Sequence, residues 1–157
     1  MEHYSIREVV EQAVRAERLG YDYYSSMSLR HAKDRGLSDL FGKLAAKELE
    51  HEKKFQDLEK GLHDEEPEGW EEVSEYLRVI VESEFFLGSN KALRSLEQVT
   101  TVEAAVKFAV GFEKETLLYY YAVRKMLKDK SIIDAIIEEE KSHILQLGKF
   151  AQGLAQL

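Results

Sequence analysis

The sequence predicts an all-α protein, a four-helix bundle made of two duplicated helical hairpins joined by a long helical crossover. Three observations carry that prediction. Across 157 residues there is one proline and no strand-like alternation of any length. Four long stretches repeat apolar residues at alternating three- and four-residue spacing, the stripe of a helix with one buried face. The two halves of the chain also resemble each other, each a long stretch, a short polar turn and a second long stretch. A chain of this length reads as one domain, 1–157, with room for a substantial core.

Taken in order, Ser5-Ile6-Arg7-Glu8 has the form of a capping box, with Tyr4 and Val9 placed as a hydrophobic staple. The helix it opens, about 5–31, carries Val10, Ala13, Val14, Tyr21, Tyr24 and Met27 on one face. Lys33-Asp34-Arg35-Gly36 is a short turn of the kind that joins antiparallel neighbours. A second helix, about 37–62, ends at Gly61 and a loop from His63 to Gly69. Residues 64–101 read as the crossover, with one helix from Glu71 to Phe86 and a weaker one near Leu93 to Gln98, separated by Gly88-Ser89-Asn90. Thr100-Thr101-Val102-Glu103 offers another capping box for a third helix, about 102–128, with Val102, Val106, Ala109, Leu117, Tyr120, Val123 and Leu127 on one face. After the turn Lys128-Asp129-Lys130-Ser131 the fourth helix covers about 132–155.

The second helix holds the informative anomaly. Its stripe runs through Leu37, Phe41, Leu44, Phe55, Leu58 and Leu62, and the same phase passes through Glu48 and His51. In the fourth helix the stripe of Ile133, Ile136, Leu147, Phe150 and Leu154 passes through Glu140 and His143, 92 residues further on. The first and third helices each put one carboxylate on their own stripes, Glu17 and Glu113. Counted from the turns near Asp34 and Asp129, all four carboxylates fall near mid-bundle, with the two imidazoles beside them. With 23 Glu and 5 His, roughly 0.7 Glu-x-x-His matches arise by chance, so one motif is weak. Two, each on an apolar stripe and each after a helix with its own buried Glu, are not.

Four ionised carboxylates in a core, without Lys or Arg on the same stripes, need compensating charge. Two divalent cations supply it. Carboxylate mixed with imidazole, without thiolate, suits Fe or Mn. Two single Glu residues plus two Glu-x-x-His motifs are the donor pattern of carboxylate-bridged dinuclear sites. That pattern assigns Glu48 and Glu140 as bridges, His51 and His143 as terminal ligands, and Glu17 and Glu113 as one cap for each of two metal ions, Fe or Mn.

Through Ala16-Glu17-Arg18, Glu48-Leu49-Glu50-His51, Phe112-Glu113-Lys114 and Glu140-Lys141-Ser142-His143, the chain resembles the ferritin-like superfamily and, within it, the diiron domain of rubrerythrin. The resemblance covers essentially the whole chain. It implies a nonhaem diiron site that reacts with hydrogen peroxide or dioxygen, fed by an external electron donor such as a rubredoxin or a flavoprotein. Rubrerythrins that reduce peroxide carry a further Glu one turn before the third-helix ligand, where this chain has Val110. They usually carry a rubredoxin domain as well, and the present sequence contains neither that domain nor a cysteine. Iron handling of the ferroxidase type, without an organic substrate, and hydroxylation of an organic substrate are the alternative activities.

Tyr24 and Tyr120 lie seven residues after Glu17 and Glu113, two turns along the same faces, where they could hydrogen-bond the carboxylates or supply an electron or proton. Tyr23, Tyr119 and Tyr121 read as packing or interface. His31 reads as a helix carboxyl-terminal cap and His63 as a loop residue; His3, like these, has no counterpart in the other hairpin. Glu50, Glu52, Glu115, Glu138 and Glu139 fall off the stripes and read as solvated. Val79-Ile80-Val81 and Phe85-Phe86-Leu87 make the crossover apolar on one side, to cover the bundle or to form a homodimer contact. A formal charge of −8 argues against general affinity for nucleic acid or acidic membranes. With no membrane-length apolar run and no signal-like start, the expected location is cytoplasmic.

Overall fold

The computed structural model describes residues 4–63, 65–82 and 96–156. Helices α1 (Ile6–Arg30) and α2 (Arg35–Lys60) form the first hairpin, and α4 (Val102–Met126) and α5 (Ser131–Ala155) form the second. Between them lie α3 (Trp70–Val81) and a 3-10 turn, Leu96–Gln98. Among the described residues there is no strand. No helix among them is long and apolar enough to cross a membrane.

Local chemistry sets the helix ends. Ser5 closes a full capping box: its hydroxyl accepts from the Glu8 N–H at 3.2 Å, and its own N–H donates to Glu8 Oε2 at 2.7 Å. Asp34 caps α2 through the Leu37 N–H at 3.0 Å, which draws Arg35 and Gly36 out of the expected turn and into the helix. At the start of α4 the cap is Thr101, one residue later than the expected box, because its hydroxyl takes the Ala104 N–H at 3.1 Å. Glu103 therefore closes no box there. The carboxyl-terminal cap of α1 is His31.

The hairpins pack with neighbours antiparallel. Ser28 meets Ser38 and Arg7 meets Glu59 across α1 and α2, while Arg124 meets Asp134 across α4 and α5. The hairpins then join through α1 on α4 and α2 on α5. Buried Tyr23 donates to the Ala105 carbonyl and buried Tyr119 to the Val9 carbonyl, each at 2.6 Å. Those pairs superpose on one another by a shift of 96 residues, so the duplication is carried into the tertiary hydrogen bonds. Both tyrosines thus serve packing, as expected, whereas Tyr121 is 41% exposed.

The apolar core comes in two parts. One holds Val10, Ala13, Phe55, Tyr120, Val123 and Ile136; the other holds Tyr24, Leu37, Phe41, Leu44, Ala109 and Leu147. On all four long helices the residues between the two parts are the striped carboxylates and imidazoles, which form a polar layer across mid-bundle.

Helix α3 lies against α4. It is pinned to the start of α1, where Trp70 Nε1 donates to the Tyr4 carbonyl at 2.7 Å and the Tyr4 N–H donates to Ser74 Oγ at 2.9 Å. Leu77, Ile80 and Val81 cover the bundle, and Tyr76 and Val79 face outward. The expected continuation to Phe86, including Phe85-Phe86-Leu87, the Gly88-Ser89-Asn90 break and the start of the weaker helix at Leu93 lie outside the described residues, as does His3. Trp70 is 3% exposed, so Trp70→Ala should cost about 3–5 kcal/mol in denaturant unfolding, the usual loss for a buried aromatic. Far-ultraviolet circular dichroism should show the four long helices retained.

Candidate metal centre

Every one of the six striped residues is buried: Glu17, Glu48, His51, Glu113 and Glu140 show no exposure and His143 shows 2%. Their donor atoms fall into two groups, Glu17, Glu48, His51 and Glu140 in one and Glu48, Glu113, Glu140 and His143 in the other, each within 4.8 Å. Glu48 and Glu140 belong to both. His51 Nδ1 lies 2.9 Å from Glu140 Oε1 and 3.5 Å from Glu17 Oε2. His143 Nδ1 lies 2.9 Å from Glu140 Oε2, 3.4 Å from Glu48 Oε1 and 3.5 Å from Glu113 Oε1. The two imidazoles stack with ring centres 5.7 Å apart.

Several donors have their valence left over. Glu17 Oε2, both oxygens of Glu48, Glu113 Oε2, Glu140 Oε2 and His143 Nδ1 are buried without an aligned hydrogen bond among the described residues. Orphaned buried oxygens are costly and rare. Here they converge on one place, and a carboxylate–imidazole donor set of this kind fits divalent cations.

The tyrosines complete the arrangement crosswise. Tyr24 of the first hairpin donates to Glu113 Oε1 of the second at 2.6 Å, and Tyr120 of the second donates to Glu17 Oε1 of the first. Each terminal carboxylate is thereby held by one oxygen and left with the other unpartnered. Burial, then the surrounding carboxylates, keep both phenols well above their ordinary pKa, so they remain neutral donors.

Without a cation the cluster balances itself with protons. Burial drives Glu48 far above the ordinary carboxyl range, and the charges of Glu140, Glu17 and Glu113 add to the effect. Burial and then Glu140 push Glu113 up to about 8 against the pull of His143. Glu140 goes the other way: burial and Glu17 raise it, but the close approach of His143 and the hydrogen bond with His51 outweigh them and hold it below its usual value. Burial alone would lower both imidazoles. Their carboxylate neighbours instead raise His51 to about 11 and His143 to about 10.

Two features were not legible from the stripes. Gly20 passes beneath the site, and a Cβ there would sit 2.7 Å from Glu48 Oε2 and 3.1 Å from Phe112 Cζ. The matching position in α4 is Thr116, whose buried hydroxyl is unpartnered among the described residues. Glu139, expected to be solvated, is a correction: its Oε2 lies 2.6 Å from His51 Nε2, on the side of the ring away from the cluster. Helical phase placed it off the apolar face of its own helix, but that direction is the one facing α2. Glu50 and Glu138 are exposed, while Glu52 and Glu115 are half-buried outside the cluster.

No protein-family model matches the chain, and no curated protein does. Among solved structures it is similar to a protein of Thermotoga maritima provisionally assigned as a ferritin-like diiron-carboxylate protein, with a TM-score of 0.69 over 97% of each chain at 20% identity. The fold is ferritin-like. That agreement covers the architecture, and within it the buried Glu/His cluster is a group of residues that could hold metal ions.

Two predictions follow from the geometry. An unfolded-chain Glu113 titrates near 4.5 and the folded one at about 8, so the folded state holds the extra proton and stability falls as pH rises through that window. His51 and His143 act in the same direction, stabilising fully below about 6.5 and less as pH climbs toward their folded values of about 11 and about 10. The melting temperature of metal-free protein should therefore drop by several degrees between about pH 5.5 and about pH 8, and the gain on adding metal should widen, because cations replace those protons. A flat or rising metal-free profile in calorimetry would contradict this. For Gly20→Ala, the gain of about 1 kcal/mol in helix propensity is outweighed by overpacking against Phe112 and the Glu48 carboxylate, about 1–3 kcal/mol, and the displaced carboxylate should weaken metal binding by roughly 10-fold or more. Melting of the metal-free variant and its metal titration should thus both show a loss.

Proposed function

We propose that this protein is a carboxylate-bridged dinuclear iron redox protein that reacts with hydrogen peroxide or dioxygen. One observation carries the reading: two overlapping donor groups share Glu48 and Glu140 in a buried layer whose remaining oxygens have no hydrogen-bond partner among the described residues. Glu48 and Glu140 would bridge two ions, Glu17 with His51 would complete one, and Glu113 with His143 the other. Two divalent charges offset four carboxylates and release the protons that otherwise hold the layer together. The donor set accepts either metal, and iron is favoured over Mn by the likeness to a diiron-carboxylate protein. When bound, the iron pair supplies two electrons, enough with two protons to take one peroxide to two waters.

The chain's own residues supply the setting. Tyr24 and Tyr120 hold the terminal carboxylates in register and offer neutral O–H groups beside the centre. The apolar parts of the core above and below exclude bulk water. A recess of about 430 Å³ bordered by Lys43, Lys47, Glu139 and His143 meets the cluster at the His143 ring and suits a small oxidant. The larger apolar recess, about 580 Å³ with Val106, Val110, Gly111 and Leu154 in its wall, is bordered by none of the six donors, which ranks a small oxidant above an organic substrate. Electrons would return from an external carrier such as a rubredoxin or a flavoprotein.

Anaerobic loading with Fe(II), then stopped-flow mixing with peroxide and dioxygen in parallel, tests the reading. Two irons should bind per chain, oxidation should be complete within seconds by at least one oxidant, and Glu48→Ala should abolish binding. Faster reaction with peroxide supports a peroxidase; faster reaction with dioxygen and release of ferric ion supports iron handling. A chain that binds no iron would sink the proposal.

A further inference from the structure

We infer that Glu139 is a positioning residue that makes the two metal positions unequal, so that the His51 side takes its ion first and holds it more tightly than the His143 side. The inference rests on the dinuclear reading above and refines it.

His51 is gripped from both sides. Its Nδ1 faces the cluster, 2.9 Å from Glu140 Oε1, and its Nε2 meets Glu139 Oε2 at 2.6 Å. A carboxylate on the outer nitrogen keeps the ring proton there, turns the Nδ1 lone pair inward and raises the donor strength of the imidazole. Glu139 is steadied in turn by Lys54, whose Nζ lies 3.7 Å from Oε1. Lys47 adds positive charge nearby while pairing with Glu50 at 3.2 Å.

The other imidazole has no such support. The two Glu-x-x-His motifs are 92 residues apart, so the position matching Glu139 is Lys47. Among the described residues no carboxylate meets His143 Nε2, and Lys47 and His143 border the same surface recess. An ammonium cannot accept the imidazole proton. At equivalent places in the duplicated hairpins, then, one imidazole has a carboxylate on its outer nitrogen, and the residue matching that carboxylate in the other hairpin is a lysine whose ammonium pairs with Glu50.

The test is an anaerobic titration of metal-free protein with Mn(II), followed by loss of the free aqua-ion signal in electron paramagnetic resonance. Two sites per chain should appear, with dissociation constants at least roughly 10-fold apart. Glu139→Gln should weaken the tighter step by about 10–100-fold and leave the weaker one in place, so that the steps merge. His143→Ala should keep the tight step, and His51→Ala should abolish it. Melting curves of the metal-free variants establish that each is folded. Two equal steps in the unaltered protein, or Glu139→Gln weakening both alike, overturn the inference while leaving the dinuclear site standing. Fewer than two ions bound overturns the dinuclear reading itself.

Discussion

Four carboxylates and two imidazoles buried in one layer are the constraint on which the rest of this molecule depends. Nothing in a helical bundle asks for them. A well-packed apolar layer of the same volume would be easier to stabilise, since ionised groups lose hydration that the interior does not return. Three of the four carboxylates are met by something specific: a phenol on Glu17, a phenol on Glu113, and both imidazoles on Glu140. What these leave over is a set of oxygens aimed at one another, and that residue of unmet valence is what makes the site a binding site.

The surrounding architecture serves this layer from both directions. The core is divided into an upper and a lower apolar part, each contributed to by all four long helices, and the polar layer is clamped between them. Close approach is obtained by omission at Gly20, where a side chain would occupy the place of the Glu48 carboxylate. The same device recurs at Gly36, where the start of α2 passes so near Phe150 of α5 that a Cβ would meet its ring at 3.1 Å. Two hairpins can therefore close on a shared centre without moving the helices apart.

Much of this was readable in advance, for a definite reason. The stripe through Leu37, Phe41, Leu44, Phe55 and Leu58 has a phase, and a phase predicts the burial of positions 48 and 51 whatever occupies them. The same logic found Glu17, Glu113, Glu140 and His143, and the seven-residue step found Tyr24 and Tyr120, though it could not say that each tyrosine would bind the carboxylate of the opposite hairpin. Periodicity describes one helix at a time. Glu139 acts across an interface, so its own helix gave no sign of it. The placement of α3 depends on a Trp70 N–H meeting a carbonyl 66 residues away, which no local pattern encodes. Thr100 and Thr101 are equally good caps in composition; the choice fell to the residue whose hydroxyl meets the Ala104 N–H.

The crossed tyrosines carry one further consequence. Each hairpin supplies half the donors and also the tether for the other half's terminal carboxylate, so the layer has an approximate two-fold axis and belongs to neither hairpin alone. Two identical hairpins associating about that axis would provide all six donors and both tethers. They would also be bound to perfect symmetry, with the same residue on the outer edge of each imidazole. Joining the halves into one polypeptide removes that obligation. Lys47 opposite Glu139, and Gly20 opposite Thr116, are places where the two halves differ, a symmetry breaking closed to a pair of identical hairpins.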